Sequence, residues 1–539
     1  MPTAAARAAG SAGGGRPVAG TRLLLRHHLR RDRLLVLVWV LFLVGICYAS
    51  AAATPSLYPS AVDRVRAAEA LDASPAVVAL YGPIPDVHSL GQVAMTKMTV
   101  VYALFVAVMV LVVVRRHTRA DEESGRTELV GGTAVAATAP LLAALAEAVL
   151  LSVAIGLLAA LADAAAGLPV VGSLAFGASW TGVGLVSAGL TAVACQVSAS
   201  SRTCAAIAGS ALGVLFLLRA VGDTAVPALG WLSPFGWSTR LHAFSGERWW
   251  VLALPVATSA VLALVAGRLR SRRDLGAGLV EPRPGPAHGS PRLADAMALA
   301  WRVHGALLAF WTAASVVLGL VMGSIAPNIG SLLDSPGARA AMQRLGGVGA
   351  VEDTMLAAML SVVAVVVTCF ALSVVAHGAA DERDGRTDQV LATATSRGAA
   401  LSATIVVAVA GAAWLLLVVG LALTVGYGAA GGALHGVLVP AALVQAPAVW
   451  VVTALAVLLL AVRSGWAVLG WALLGLFVAV GQVGELLSLP GWVVDLSPYV
   501  HTPQLPVAGF TATPVLVLSL VAVVLVASAW RRFGVRDIR

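Results

Sequence analysis

The sequence predicts an all-α integral membrane protein of about twelve transmembrane helices, arranged as two parallel six-helix repeats. Hydrophobic residues make up 59% of the 539 positions and charged residues only 11%, and the mean hydropathy is +0.91. A soluble globular protein carries about 25% charged residues, so much of this surface must face lipid. The apolar residues form continuous runs instead of alternating with polar ones, which favours helices over a membrane β-barrel.

Cysteine, histidine and charge content indicate no catalytic, metal or cofactor site. The four cysteines lie inside apolar runs without a C-x-x-C pair, which favours buried thiols over a disulfide or a metal site. The ten histidines show no metal-ligand spacing. The net charge of +9 is explained by basic residues that flank cytoplasmic span ends, so no nucleic-acid partner is predicted.

Apolar runs of about the 20 residues needed to cross a bilayer define the spans. Spans 1 to 6 are predicted at 34–53, 98–114, 134–162, 169–197, 203–222 and 249–267. Spans 7 to 12 are predicted at 303–326, 354–376, 398–428, 433–462, 464–484 and 510–530. The stretch between Arg397 and Arg463 has no charged residue and is too long for one span, and Tyr427–Gly432 (YGAAGG) supplies the turn that divides it.

The distribution of lysine and arginine predicts the orientation. With these spans, 27 of the 35 Lys and Arg residues fall on one face and 8 on the other. Basic residues collect on the cytoplasmic side, and an even number of spans returns the chain to the side where it began. We therefore expect a multi-pass protein of the cell membrane, in contact with lipid, with both termini in the cytoplasm.

An internal repeat is the most informative feature of the chain. His117–Ala134 (HTRADEESGRTELVGGTA) matches His377–Ala394 (HGAADERDGRTDQVLATA) at ten of eighteen positions, at a constant offset of 260. Leu232–Phe235 (LSPF) similarly matches Leu496–Tyr499 (LSPY). Each match follows an equivalent span, and six spans separate the copies, so the two halves share one orientation.

The repeat predicts four regions. These are a disordered N-terminal tail at 1–20, a first six-span half at 21–275, a cytoplasmic linker at 276–291 and a second half at 292–539. Thr21–Arg33 (TRLLLRHHLRRDR) has the basic and leucine-rich pattern of an interfacial helix, and Pro291–Val303 is its potential repeat. The segments 223–248 and 485–509 are rich in Gly, Pro and Trp, and either re-entrant helices or ordinary outer loops would fit them.

Two charged segments occupy equivalent positions, one per half. We name Asp121–Glu128 the first charged segment and Asp381–Asp388 the second. Retention of D-E-x-x-G-R-T in both copies favours the docking of a soluble partner by paired charges. The alternative is a solvated loop whose charges only set the membrane topology. The chain has no P-loop, because its one lysine is Lys97 in the context Ala94-Met95-Thr96-Lys97. Any ATP hydrolysis therefore requires another subunit.

Glu147 is the acidic residue that stands out within the apolar runs. An ionisable side chain inside a membrane span is costly and is a candidate functional group. Its counterpart at the offset of 260 is Val407, so Glu147 does not belong to the repeated features. Its position is compatible with a role in substrate contact or proton transfer. It is also compatible with a carboxylate that only reaches water or a nearby arginine.

The charged segments resemble the coupling segments of type-2 ABC transporter permeases, whose pattern is approximately E-x-x-x-G-T-x-E-x-L-x-x-T-P. This chain differs by placing Arg126 and Arg386 between the Gly and the Thr, and by lacking the final Pro. The whole chain is similar to the fused twelve-span actinobacterial permeases described as exporters of polyketide antibiotics. This resemblance implies that a separate ABC ATPase subunit, in two copies, docks beneath the membrane and binds ATP and Mg²⁺.

The resemblance assigns ATPase docking to residues of both charged segments and assigns no catalytic residue. In the first segment they are Asp121, Glu122, Glu123, Gly125, Arg126, Thr127 and Glu128. In the second they are Asp381, Glu382, Asp384, Gly385, Arg386, Thr387 and Asp388. The resemblance also implies a central pathway lined by spans 1, 2, 5, 7, 8 and 11, which carry few charges and suit a hydrophobic or amphipathic small molecule better than an ion.

Three functional hypotheses follow. The leading one is the membrane subunit of an ATP-driven exporter of antibiotics, drugs or lipid-like compounds, with efflux and antibiotic resistance as its outcome. A secondary transporter driven by protons or sodium is the alternative, since two parallel six-span halves also suit that class. An intramembrane enzyme has no supporting set of residues in the sequence.

Overall fold

The computed structural model describes residues 19–72, 75–281, 288–291, 293–326, 348–432, 436–483 and 490–537. These residues are helical, with no strand among them. Eleven of their helices are long and apolar enough to cross a membrane, and the remaining predicted span, span 11, is a shorter apolar helix. The predicted all-α integral membrane fold is confirmed. Most of the predicted tail at 1–20 lies outside the described residues.

The chain divides into two compact units, Met1–Gly285 and Pro286–Arg539. In the first unit the N-terminal helix is Thr21–Arg31. Spans 1 to 6 are Arg33–Leu57, Leu90–Glu123, Ala139–Ala165, Val170–Val197, Ser201–Thr224 and Trp249–Arg270. Shorter helices after span 1 are Ala61–Asp72 and Pro75–Tyr81, and those after span 5 are Pro227–Gly230 and Pro234–Arg240.

The second unit also contains six spans. Spans 7 to 9 are Ala296–Ile325, Val348–Arg383 and Arg397–Ala429. Span 10 is Leu438–Val462, span 11 begins with the 3₁₀ turn Ser464–Val468 and continues as Leu469–Val483, and span 12 is Ala512–Val535. The short helices Gly491–Val494 and Pro498–His501 lie between spans 11 and 12.

Three central spans form the core of each unit. In the first unit span 4 packs against spans 2, 3, 5 and 6, and span 1 packs on span 3. In the second unit span 10 packs against spans 8, 9 and 12, and span 7 packs on span 9. The most apolar window is 67% buried in span 4 and 17% buried in span 1. Span 1 is apolar and mostly exposed, as expected for a peripheral span that contacts lipid.

Glycines allow the closest contacts between spans. A Cβ atom on Gly177 of span 4 would lie 2.1 Å from the carbonyl oxygen of Gly156 in span 3. A Cβ atom on Gly426 of span 9 would lie 2.3 Å from the carbonyl oxygen of Leu320 in span 7. Small residues of this kind let helix backbones approach in a membrane, where dispersion contacts replace the hydrophobic effect between helices.

Spans 2 and 8 are longer than their apolar runs predict. Span 2 continues to Glu123 and span 8 to Arg383, so each charged segment begins as the last turn of a span. Hydropathy marks only the part of a helix that lies in lipid, which explains the difference. The predicted repeat of the N-terminal helix at 291–303 is not a separate helix, because Ala296 begins a helix that is continuous with span 7.

The segment after span 5 is folded into the first unit. Ser233 accepts a hydrogen bond from the backbone N–H of Phe235 at 3.2 Å and begins the helix Pro234–Arg240. Phe235 is fully buried in the same hydrophobic cluster as residues of spans 2 and 4. In the first unit, the segment 223–248 therefore contains a broken helix packed against the bundle. Its counterpart at 485–509 lies partly outside the described residues, as does most of the predicted outer loop at 325–353.

Candidate functional site

Each charged segment forms the same turn. The helix of span 2 ends at Glu123, Gly125 adopts a left-handed conformation with φ of 74°, and the helix Arg126–Gly131 begins directly after it. In the second segment Gly385 has φ of 70° and precedes the helix Arg386–Leu391. Glycine is the residue that adopts this conformation at least cost. The repeated G-R-T sequence therefore corresponds to a repeated change of chain direction.

The arginine after each glycine folds back onto the first aspartate of its segment. Arg126 Nη1 donates to Asp121 Oδ1 at 3.1 Å, and Arg386 Nε donates to Asp381 Oδ1 at 2.7 Å. The hydrogen bond to Asp381 raises the pKa of Arg386, which keeps this guanidinium charged. Arg126 and Arg386 are inserted relative to the pattern of type-2 ABC permeases, and in both copies they close the turn.

The second acid of each segment is buried in an ion pair. Arg273, just after span 6, donates to both carboxylate oxygens of Glu122 at 2.9 and 2.8 Å. Arg536, just after span 12, contacts Glu382 Oε2 at 2.5 Å. The carboxylates are 6% and 5% exposed. Charge-assisted contacts of this kind fix the orientation of both partners, so each charged segment is bound to the end of the last span of its own unit.

Further contacts occur in the first unit. The buried side chain of Arg119 donates to Glu122 at 2.8 Å and to the carbonyl of Cys195 at 3.2 Å. Glu123 Oε2 accepts from the backbone N–H of Ser201 at 3.1 Å, at the start of span 5. Arg31 of the N-terminal helix donates from Nη1 to both carboxylate oxygens of Asp121, at 3.0 and 3.1 Å. Spans 2, 4, 5 and 6 and the N-terminal helix all meet at this segment.

The ten charged residues among the fourteen predicted docking residues thus fall into two groups. Asp121, Glu122, Asp381 and Glu382 face their own unit through the ion pairs above. Residues with exposed side chains are Glu123, Arg126 and Glu128 in the first segment and Asp384, Arg386 and Asp388 in the second. Leu129, next to Glu128, is 80% exposed. The exposed charged side chains therefore lie at the turn before each glycine and on the short helix that follows it, and Thr127 and Thr387 lie half-buried within that helix.

Glu147 lies in the third turn of span 3 and is fully buried. Its Oε2 atom lies 3.4 Å from His28 Nδ1 and 3.6 Å from His117 Nε2. Val407, its counterpart in span 9, is also fully buried but lies in a hydrophobic cluster. The carboxylate of Glu147 therefore lies beside two imidazoles, whereas the sequence predicted water or an arginine as its neighbour.

His28, His117 and Glu147 form a cluster that the sequence did not predict. Asp32 adjoins it, with Oδ2 2.9 Å from His117 Nε2 and Oδ1 3.3 Å from Arg116 Nε. Burial acts to raise the pKa of Asp32, but the hydrogen bond with His117 and the nearby charges of His117, Arg116 and Arg31 lower the pKa below its usual value. The three clustered residues belong to different helices and are 30 to 119 positions apart, so no sequence motif indicates that they meet.

The comparisons with known proteins agree with this architecture. Residues 293–533 match the family model described as "Multidrug efflux system permease Rv1217c, C-terminal domain". The whole chain is similar to the multidrug efflux system permease protein Rv1217c of Mycobacterium tuberculosis (strain ATCC 25618 / H37Rv). The two are 39% identical over 530 residues, which cover 96% of this chain and 95% of the relative. The chain therefore belongs to the family of membrane permeases that includes Rv1217c.

Proposed function

We propose that this chain is the transmembrane subunit of an ATP-driven exporter that moves hydrophobic or amphipathic compounds, such as antibiotics and other drugs, out of the cell. The name of the similar mycobacterial protein, a multidrug efflux system permease, supports the drug-export part of this proposal. The ATP-driven part rests on the two charged segments together with the absence of a P-loop from the sequence.

The single observation that carries the proposal is the repeated geometry of the charged segments. Each ends a long span, turns at a left-handed glycine and presents a short helix with exposed charges. Each is bound internally by its second acid to an arginine after the sixth span of its unit. A force applied to the short helix would therefore reach both span 2 and span 6, or span 8 and span 12, through charge-assisted contacts.

The proposed partner is an ABC ATPase in two copies, one for each charged segment. ATP and Mg²⁺ would bind in that subunit and not in this chain. The charged segments and both termini would lie on the cytoplasmic side, as the distribution of basic residues predicts. The few charges in the spans favour an apolar or amphipathic cargo, since an ion would lose its hydration without compensation.

Charge reversal on the exposed helices tests this docking surface. Glu128→Lys combined with Asp388→Lys changes an exposed residue in each unit and leaves the internal ion pairs intact. We expect recovery of the ATPase with the purified chain to fall by about tenfold, because like charges at an interface suppress association. The measurement is co-purification with a Walker-motif ABC ATPase co-expressed with the permease, followed by its ATP turnover.

Glu69→Lys is the control for a general effect of added positive charge. Glu69 is exposed on the helix Ala61–Asp72, between spans 1 and 2. The predicted topology places this helix on the face of the membrane opposite to the charged segments. This variant should bind the ATPase as the unaltered chain does. Undiminished recovery of the ATPase by the double variant would contradict docking at these helices.

A further inference from the structure

A buried cluster of potential metal ligands lies in the first unit, apart from the exposed surface of the charged segment. His28 comes from the N-terminal helix, His117 from span 2 and Glu147 from span 3. They are 4%, 2% and 0% exposed. One ligand atom of each residue lies within 4.8 Å of the ligand atoms of the other two. Three helices thus direct nitrogen and oxygen atoms at one point.

The polar atoms of the cluster are left short of hydrogen bonds. Both oxygens of Glu147 and the Nδ1 atom of His28 are buried without a hydrogen-bond partner among the described residues, whereas Nε2 of His117, the nitrogen that faces Glu147, lies 2.9 Å from Asp32 Oδ2. Buried polar atoms are nearly always satisfied in native proteins, because an unsatisfied one costs about 1–3 kcal/mol. A ligand that accepts electron pairs from these atoms would remove that cost.

Charge balance also points to a cation. Asp32 is paired with Arg116 at 3.3 Å, and Asp121 is paired with Arg31 at 3.0 Å. Among the described residues, the groups within ion-pair distance of Glu147 are the two imidazoles, at 3.4 and 3.6 Å. A carboxylate that is fully buried requires a compensating positive charge. Either a protonated imidazole or a metal ion between Glu147 and two neutral imidazoles supplies it, and metal binding by the purified chain distinguishes the two.

The two carboxylate-to-imidazole distances suit a small tetrahedral ion, and the rings of His28 and His117, stacked with centroids 3.9 Å apart, must rotate apart for both nitrogens to face it. Ligand bonds of about 2.0–2.1 Å at tetrahedral angles separate neighbouring ligand atoms by about 3.3 Å, and the carboxylate-to-imidazole distances are 3.4 and 3.6 Å. The other nitrogen of His117, Nδ1, faces Asp121 Oδ2 at 3.6 Å. Metal-ligating histidines commonly direct their second nitrogen at a carboxylate, which orients the ring and sets its tautomer.

We propose that His28, His117 and Glu147 bind a divalent transition-metal ion of the Zn²⁺ class. Two imidazoles and one carboxylate are a ligand set that Zn²⁺ accepts, with a fourth position available to Asp32 or to water. The ion joins the N-terminal helix and span 3 to the end of span 2, four residues before Asp121. It therefore stabilises the origin of the first charged segment.

The second unit provides a natural contrast. His304 and His377 form an edge-to-face ring pair with centroids 4.9 Å apart, as His28 and His117 form a stacked pair at 3.9 Å. The position of Glu147 is occupied by Val407. This position therefore offers no carboxylate in the second unit, and the proposal assigns one ion to each chain, in the first unit.

The test measures metal binding by the full-length chain, purified in detergent without a polyhistidine tag and stripped with a chelator. Co²⁺ serves as a spectroscopic probe of tetrahedral nitrogen and oxygen ligation, and Zn²⁺ is quantified by elemental analysis. We expect one Zn²⁺ per chain, an intense visible Co²⁺ spectrum that Zn²⁺ displaces, and a rise in melting temperature with Zn²⁺.

Variants separate ligation from packing. Glu147→Gln should reduce binding at least about a hundredfold, in the range found when a metal site is disrupted, whereas Glu147→His should retain one Zn²⁺ because it keeps three ligands. His304→Asn and His27→Asn are controls and should leave binding unchanged. Failure of the unaltered chain to bind Zn²⁺ or Co²⁺ would overturn the proposal, as would equal binding by Glu147→Gln. Neither result would affect the proposed docking of an ATPase.

Discussion

At the residue scale, the acids of the charged segments have two different tasks. Glu122 and Glu382 are almost completely buried and bind arginines of their own unit. Glu128 and Asp388 are exposed on the short helices. A substitution of Glu122 or Glu382 would therefore act by changing the position of the segment and not by removing a direct contact with a partner. These two glutamates are positioning residues, and the exposed acids are the candidates for direct contact.

The Glu382–Arg536 pair offers the cleaner measurement, because Glu122 also binds Arg119. Glu382→Gln leaves the guanidinium of Arg536, which is 10% exposed, without its counter-charge. We expect a loss of about 3–5 kcal/mol in the free energy of unfolding, the usual result of breaking a buried pair from one side. Glu382→Met with Arg536→Met should recover most of it. A double-mutant cycle in detergent with a coupling energy near zero would contradict this account.

A second prediction at this scale concerns the left-handed conformation of Gly125. Gly125→Ala should destabilise the turn by about 1 kcal/mol, because a Cβ atom is strained at positive φ. The strain comes from the backbone alone, since nothing lies within 4 Å of the added atom. Gly131→Ala is the matched control, with equally open space and an ordinary φ.

Hydrogen exchange of the backbone amides at 126–131 measures the effect. Exchange in Gly125→Ala should be about fivefold faster, which corresponds to the expected 1 kcal/mol. Gly131→Ala should exchange at the original rate or more slowly. Equal exchange in the two variants would show that the left-handed turn is not required at this position.

At the element scale, the contact between spans 3 and 4 depends on two glycines that face each other. Each of their Cβ positions would fall within 2.3 Å of the carbonyl oxygen of the other glycine. Such a contact cannot be relieved by rotating a side chain, because the backbone fixes the position of the Cβ atom and the atom it meets is a backbone oxygen. The packing of these two spans is therefore sensitive to the addition of a single methyl group.

Gly177→Ala should consequently lower the stability of the chain in detergent by about 1–3 kcal/mol, the usual cost of overpacking. Gly209→Ala in span 5 is the control, since nothing lies within 4 Å of its Cβ position. Thermal unfolding followed by a thiol-reactive dye or by circular dichroism compares the two. A melting temperature for Gly177→Ala equal to that of Gly209→Ala would refute the importance of this contact.

At the scale of the whole molecule, the source of energy distinguishes an ATP-driven exporter from a secondary transporter. Secondary transport requires ionisable groups that load and release an ion near the middle of the membrane. Glu147 lies only three turns from the start of span 3, beside the first charged segment. Its environment indicates a buried site near one membrane face, which favours the ATP-driven hypothesis.

Efflux of a hydrophobic fluorescent dye from cells that express both subunits tests the energy source. We expect efflux to stop on ATP depletion and to persist when a protonophore abolishes the proton gradient while ATP is maintained. An ATPase whose Walker lysine is replaced is the control and should abolish efflux. Efflux that survives ATP depletion but ends with the proton gradient would establish the secondary-transporter alternative.

The sequence by itself determined the membrane fold, the number of spans and the repeat. Continuous apolar runs mark the stretches of helix that cross the bilayer, since the bilayer requires a fixed length of helix with satisfied backbone groups. The repeated D-E-x-x-G-R-T likewise located both charged segments. It could not show that Arg126 and Arg386 close their turns or that Glu122 and Glu382 are buried, because these depend on contacts made after folding.

Only the tertiary structure decided which distant residues meet. Glu122 and Arg273 are separated by 151 positions, and His28 and His117 by 89. Hydropathy and local motifs describe one helix at a time, whereas these pairs depend on how helices rotate about their axes and pack together. A charged residue beside a span has the same local pattern whether it faces solvent or a buried partner, so its role emerges only when the neighbouring helices are in place.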